Sequence, residues 1–212
     1  MRKAIVALAV LLSAPAALAQ YARFSIGAEG AVPVGDLALG MGPGVGGTLG
    51  VELPLGDYTG LIAQGGYINF FGKEYTVSVL VGSSLSSTSV KTDPVGFMPV
   101  QVGLKYYFVK NQHGPYASFL TGVHMSLVDV PTFNPIGEPD GTKKELHTNF
   151  SAGVPIGWMV GKNWDIAARY QMIFAEQETV SFDATTLAVT TKTEAVINSY
   201  VGLRVAYVFG MP

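Results

Sequence analysis

The sequence predicts an all-β protein: an eight-stranded antiparallel up-and-down transmembrane β-barrel. Three observations predict it. The 212-residue chain is 49% hydrophobic and only 13% charged. Yet beyond residue 19 it holds no apolar run near the ~18 residues that mark a spanning helix. Its apolar residues fall instead on alternate positions through eight segments, as in strands with one apolar and one polar face. The connections between these segments alternate long and short, and aromatic residues gather at the segment ends.

Residues 1–19 read as a cleaved signal peptide. Arg2 and Lys3 precede the apolar run Ala4 to Leu12, and Ala17-Leu18-Ala19 fits a small-x-small cleavage site. The barrel domain is then residues 20–212. Removing Arg2 and Lys3 takes two positive charges from the formal −2 and leaves −4, which speaks against a nucleic-acid partner. The chain has no cysteine, which excludes disulfides, a lipidated N-terminal cysteine and thiolate metal sites. No cofactor motif is present. In a bacterium such an exported chain belongs in the outer membrane, surrounded by outer-membrane lipid.

The first strand, Tyr21 to Ala31, sets Phe24, Ile26 and Ala28 against Arg23, Ser25 and Glu29. Val32 to Pro43 is dense in Gly and Pro and reads as a loop. The second strand, Gly44 to Leu55, sets Val45, Leu49, Val51 and Leu53 against Thr48, Gly50 and Glu52. After the turn Gly56-Asp57-Tyr58, the third strand, Thr59 to Phe70, has a blurred pattern and its faces stay unassigned. Phe71 to Val95 reads as a long polar loop, with Tyr75 to Val81 able to extend the third strand. The fourth strand, Gly96 to Phe108, alternates cleanly, Met98 to Phe108 on even numbers against Gln101, Gly103, Lys105 and Tyr107.

Val109 to Gly114 is a short turn, and the fifth strand, Pro115 to Val128, sets Phe119, Val123 and Leu127 against Ser118, His124 and Ser126. Asp129 to Glu145 reads as another long loop. The sixth strand, Leu146 to Val160, contains Pro155, which costs a ladder hydrogen bond. Gly161-Lys162 leads to the seventh strand, Asn163 to Ala175, with Asp165 and Arg169 on its polar face. Glu176 to Thr193 is the last long loop, its Thr-rich edges able to extend both neighbours. The eighth strand, Asn198 to Phe209, sets Ser199, Val201, Leu203, Val205, Tyr207 and Phe209 against Tyr200, Gly202, Arg204 and Ala206. It must close the sheet by pairing antiparallel with the first.

Short turns after the second, fourth and sixth strands put both termini and these turns on one side, the periplasm, with four long loops outside. Tyr58, Tyr106, Phe108, Tyr116, Trp158, Trp164, Tyr207 and Phe209 would form the inner aromatic girdle, and Phe70, Phe71, Phe97 and Phe174 the outer one. A soluble barrel would keep its apolar face inside and charge outside. Here the strand charges Arg23, Glu29, Glu52, Lys105, Asp165, Arg169 and Arg204 share the narrow polar face, so an interior charge network is expected. A β-sandwich is the other architecture this pattern allows.

Three stretches carry a resemblance: Val32-Pro33-Val34-Gly35-Asp36, Glu52-Leu53-Pro54-Leu55-Gly56-Asp57, and the final strand. The chain resembles the small eight-stranded outer-membrane barrels of the OmpA/OmpX type, the outer-membrane β-barrel-domain or porin-family proteins. The resemblance implies that Gly202, Val205, Tyr207 and Phe209 act as the signal read by the barrel-assembly machinery, although Gly210-Met211-Pro212 follow the terminal aromatic. It implies a structural or surface-interaction role, with extracellular ligands at the loops. A small channel for ions or apolar solutes is the alternative. A lipid-modifying enzyme is the third reading: His124 and Ser126, with Glu138, faintly resemble the lipid A deacylase barrels, but Leu127 follows Ser126 and the pair faces inward. Asp129, Glu138, Asp140 and Glu145 read as solvated loop charges.

Overall fold

The structure is a computed structural model that describes residues 22–81, 84–133, 139–183 and 188–210. Residues 1–19, read from the sequence as a signal peptide, lie outside these, as do Tyr21, Glu138 and the last two residues. The elements are β1 (Arg23–Val34), α1 (Leu37–Gly40), β2 (Met41–Pro54), β3 (Thr59–Gly72), β4 (Glu74–Val81), β5 (Ser84–Lys91), β6 (Val95–Tyr107), a 3₁₀ turn (Lys110–Gln112), β7 (Gly114–Phe133), β8 (Pro139–Val160), β9 (Trp164–Asp183) and β10 (Ala188–Phe209). Eight strands close into a barrel in the order β1-β10-β9-β8-β7-β6-β3-β2, all neighbours antiparallel. Closure rests on β1 and β10, which pair from Phe24↔Phe209 to Val34↔Ser199. A closed sheet leaves no backbone edge in the hydrocarbon, the condition that lipid sets.

The two faces are opposite in kind to those of a soluble barrel. Phe24, Ile26, Leu49, Val102, Leu104, Phe119, Ile156, Ile166, Leu203 and Val205 are all exposed, while the seven charges expected on the polar face, Arg23, Glu29, Glu52, Lys105, Asp165, Arg169 and Arg204, are buried inside. An uninterrupted apolar exterior around a polar interior is stable in a bilayer and not in water. β3 now receives its phase: Leu61, Ala63 and Tyr67 face outward, and Gly60, Ile62, Gln64, Ile68 and Phe70 inward. Its sequence was blurred because Ile62, Ile68 and Phe70 make the inward face apolar too.

Several expected loops are strand instead. β7, β8, β9 and β10 run well past the membrane, so Asp129 to Glu145 is largely hairpin arms, and Glu176 to Thr193 extends both its neighbours as its Thr-rich edges allowed. Thr and Val in these segments suit a pleated surface, and the ladder itself overrides the Gly and Pro cues. β1 and β2 likewise run into Val32 to Pro43, leaving only Gly35, Asp36 and α1 between them. Tyr75 to Val81 does not extend β3 within the barrel sheet: β4 and β5 form their own two-stranded sheet.

Two prolines interrupt the wall. The β7–β8 register passes from Ala117↔Ile156 to Leu120↔Gly153 around Pro155, and β3–β6 passes from Gly65↔Val100 to Ile68↔Phe97 around Pro99. Each proline lacks the N–H that its ladder would use, and Ser118 Oγ donates to the Pro155 carbonyl at 3.3 Å in the gap. On the short-turn side, Gln112 Nε2 donates to the carbonyls of Gly56 (2.6 Å) and Thr59 (3.0 Å), tying two turns together. Asn111 and Gln112 hold φ values of 65° and 56°, a left-handed corner.

The inner girdle stands with one correction. Tyr58, Tyr106, Phe108, Trp158, Trp164 and Phe209 are exposed at the short-turn end, but Tyr116 is buried in the interior. The outer girdle needs two: Phe71 and Phe174 are exposed, whereas Phe70 and Phe97 point inward. Phe70 falls in phase with Ile68, and Phe97 with Gln101 and Lys105, so strand parity rather than proximity to a loop sets their direction. Tyr67, Phe150 and Tyr170 join the exposed outer set. Ser199, expected among the outward residues, is buried between its ladder partners Val34 and Met172.

Candidate functional site

The interior is built in four layers. At the short-turn end Tyr107, Tyr116, Met159, Ala167 and Val208 form an apolar floor. At the other end Ala31, Leu37, Ile68, Phe70, Phe97, Ile173 and Tyr200 form an apolar cap, with Met41 and Val95 packed against it. Leu37 comes from α1, which folds over the mouth. Phe70 stacks edge-on against Phe97 and Tyr200, each at 5.5 Å between centroids. The cap was not legible in the sequence, because its seven buried residues come from six separate elements.

The two middle layers hold the charges. In the lower one, Lys105 Nζ lies 3.2 Å from Glu52 Oε2 and 3.4 Å from Asp165 Oδ2. Arg204 Nη2 donates to the same Asp165 oxygen at 2.6 Å, and its Nη1 donates to Gln64 Oε1 at 2.9 Å. The phenols complete the shell: Tyr107 Oη donates to Glu52 Oε1 at 2.8 Å, and Tyr116 Oη donates to Asp165 Oδ1. Lys105 Nζ also sits 3.9 Å from the centre of the Tyr116 ring. The cavity among Arg23, Glu52, Lys105, Asp165 and Arg204 measures about 10 Å³, room for one water at most.

In the upper layer Arg169 donates to Glu29 in a short ion pair. It also reaches Gln101 Oε1 at 3.5 Å and Tyr200 Oη at 3.2 Å. Gln101 Nε2 donates to Ser151 Oγ at 3.2 Å. The seven charges thus fall into two groups, four cations against three anions. Arg23 is the looser cation: its Nη1 stands 3.7 Å from Glu52 Oε1, and its Nε and Nη1 have no hydrogen-bond partner among the described residues.

Glycines make room for these groups. A Cβ on Gly60 would sit 2.8 Å from Glu52 Oε1, and one on Gly202 would collide with Glu29 Oε1. An eight-stranded lumen barely fits its side chains, so each long inward chain requires a short neighbour. Gly202 was expected to serve only as part of the assembly signal. Val205 and Phe209, expected in the same signal, face outward, and the Tyr207 ring packs between Trp164 (5.4 Å) and Phe209 (4.8 Å).

His124 and Ser126 are both buried beneath the cap. His124 Nε2 lies 3.3 Å from Tyr200 Oη, and its ring packs on Phe97 and Tyr200. Glu138 lies outside the described residues, as do the side chains of Asp129 and Asp140. Among the described residues no group of three His, Cys, Asp or Glu could hold a metal ion.

No protein-family model and no curated protein matches the sequence. Among solved structures, the chain is similar to Ail, the attachment invasion locus protein of Yersinia pestis, at 14% identity. That match covers 89% of this chain and 97% of the other, with a TM-score of 0.49. The N-terminal β-barrel domain of Pseudomonas aeruginosa OprF follows at 13% identity, 88% and 97% coverage and a TM-score of 0.48. The outer membrane protein OprG of the same organism follows at 12% identity, 88% and 95% coverage and a TM-score of 0.48.

Proposed function

We propose that the chain is a bacterial outer-membrane protein whose barrel is filled by its own side chains. Its role is structural or one of surface interaction, without catalysis. The observation that supports this is the linked engagement of the interior charges: Glu52 meets Lys105, Lys105 meets Asp165 and Asp165 meets Arg204, around a void of about 10 Å³. Hydrated ions do not pass such a layer without breaking it. Apolar floor and cap close the lumen on both sides. The signal peptide, insertion by the barrel-assembly machinery through Gly202, Val205, Tyr207 and Phe209, and loops that meet extracellular ligands belong to the same reading.

Reconstitution into planar bilayers tests it. The expected record is a membrane with no reproducible unit conductance. A stable channel of defined size would overturn the filled-barrel reading in favour of a small pore. A companion measurement is the folded protein's migration on a gel with and without boiling, together with its recovery in the outer-membrane fraction. Recovery as a freely soluble protein would overturn the membrane placement.

A further inference from the structure

Between β8 and β9 the barrel wall forks. Their register begins at Phe150↔Phe174 and runs to Val160↔Trp164 at the short-turn end. Beyond Phe150, β8 continues with β7 alone, from His124↔Asn149 to Phe133↔Pro139. Beyond Phe174, β9 continues with β10 alone, from Ala175↔Val196 to Asp183↔Ala188. Among the described residues each hairpin therefore carries an edge that has no neighbour in the β8–β9 ladder. Continued, that ladder would bring Asn149 opposite Ala175 and Thr148 opposite Glu176, which are not paired. At the crotch a cleft of about 660 Å³ opens among His147, Thr148, Asn149, Glu176 and Thr193. Its floor is Phe150 and Phe174, with centroids 5.7 Å apart.

We propose that this fork docks an extended peptide segment of a partner protein, one carrying a Lys or Arg, which adds a strand to an open edge. The claim rests on the surface-interaction reading above and names the kind of partner. Three features select a peptide. An unpaired edge presents N–H and C=O groups at the repeat of an extended polypeptide, which neither a lipid nor a sugar reproduces. The cleft's charged lining favours a cation: Glu176 is exposed at the mouth, while Lys143 and His147 already face Glu145 at 3.5 and 4.0 Å. That sign disfavours a phosphate-bearing headgroup. The Phe150–Phe174 floor accepts an apolar side chain at the neighbouring peptide position. The cleft also sits at the level of the outer aromatic set, so a segment arriving from outside reaches it without entering hydrocarbon.

The test uses the full chain folded in detergent micelles and a fluorescein-labelled peptide of about nine residues, alternating Thr and Val around a central Arg. Fluorescence anisotropy should report saturable binding. About tenfold weaker binding is expected for the same peptide with Glu at its centre, and a loss of severalfold for Glu176→Gln. A peptide N-methylated on alternate amides should not bind. The chain has no cysteine, so Asn149→Cys with Ala175→Cys can stitch the fork: oxidation should abolish binding and reduction restore it. Equal binding of the N-methylated peptide, or equal binding to the Glu176→Gln variant and of the Glu-centred peptide, would overturn the proposal. So would absence of peptide binding at a cleft that instead retains lipopolysaccharide. The conductance measurement is independent of these arms, so a non-conducting barrel that ignores the peptide sinks this inference alone.

Discussion

Asp165 is the residue on which the lower charge layer depends. Lys105, Arg204 and Tyr116 all direct donors at its carboxylate. Asp165→Ala would leave Lys105 with Glu52 alone and Arg204 with no carboxylate, only Gln64, and removing one partner of a buried pair costs about 3–5 kcal/mol. The expected outcome is a lower midpoint of urea-driven unfolding in lipid vesicles, with Asp165→Asn falling between variant and parent. A midpoint unchanged in Asp165→Ala would mean that water, not the carboxylate, balances these cations. Gly202 makes the complementary case. Gly202→Ala should displace Glu29 from Arg169 and cost about 1–3 kcal/mol, since lumen overpacking has no free volume to relax into. Gly30→Ala, on the outward face of the same region with open space around it, should change stability little.

Strands in this molecule have two solvents, and the same substitution has different consequences on their two faces. Leu203 and Arg204 are adjacent on β10; Leu203 is 60% exposed on the lipid side and Arg204 is 6% exposed inside. Leu203→Arg should cost about 2–4 kcal/mol near the bilayer midplane, read as reduced folding yield into vesicles. Equal folding of this variant would mean that β10 faces water there. The strand extensions follow another logic. Outside the hydrocarbon β7–β8 and β9–β10 have no lipid belt to hold them together, and the wall divides at Phe150 and Phe174, where the outer aromatic set ends.

Closure is a property of the whole molecule. β1 and β10 are the first and last barrel strands, and their pairing spans nearly the full chain. Ile26 and Tyr207 are directly opposed and outward. In antiparallel pairs Cα atoms lie ~4.5–5.5 Å apart, within disulfide range. Ile26→Cys with Tyr207→Cys should therefore cross-link in the folded protein and not in urea. A cross-link absent from the folded state would refute the closed order. The interior follows from closure as well. Glu29 and Arg169 are 140 positions apart in sequence, as are Gln64 and Arg204, yet each pair is in hydrogen-bond contact across the lumen.

The sequence by itself determined the alternation, the even strand count, the gathering of the short turns at one end of the barrel, and which charges share the polar face. These depend on local period and turn chemistry, which neighbours in sequence encode. It also singled out Pro155 as a weak point in the sixth strand. Only the tertiary structure decided which charge meets which, because contacts across a lumen are set by register and shear rather than by spacing. It alone turned Phe70, Phe97 and Tyr116 inward, since an aromatic near a strand end reads the same for a girdle as for a plug. And it alone showed the fork, because whether two hairpin arms stay together beyond the lipid depends on their neighbours, not on either arm's sequence.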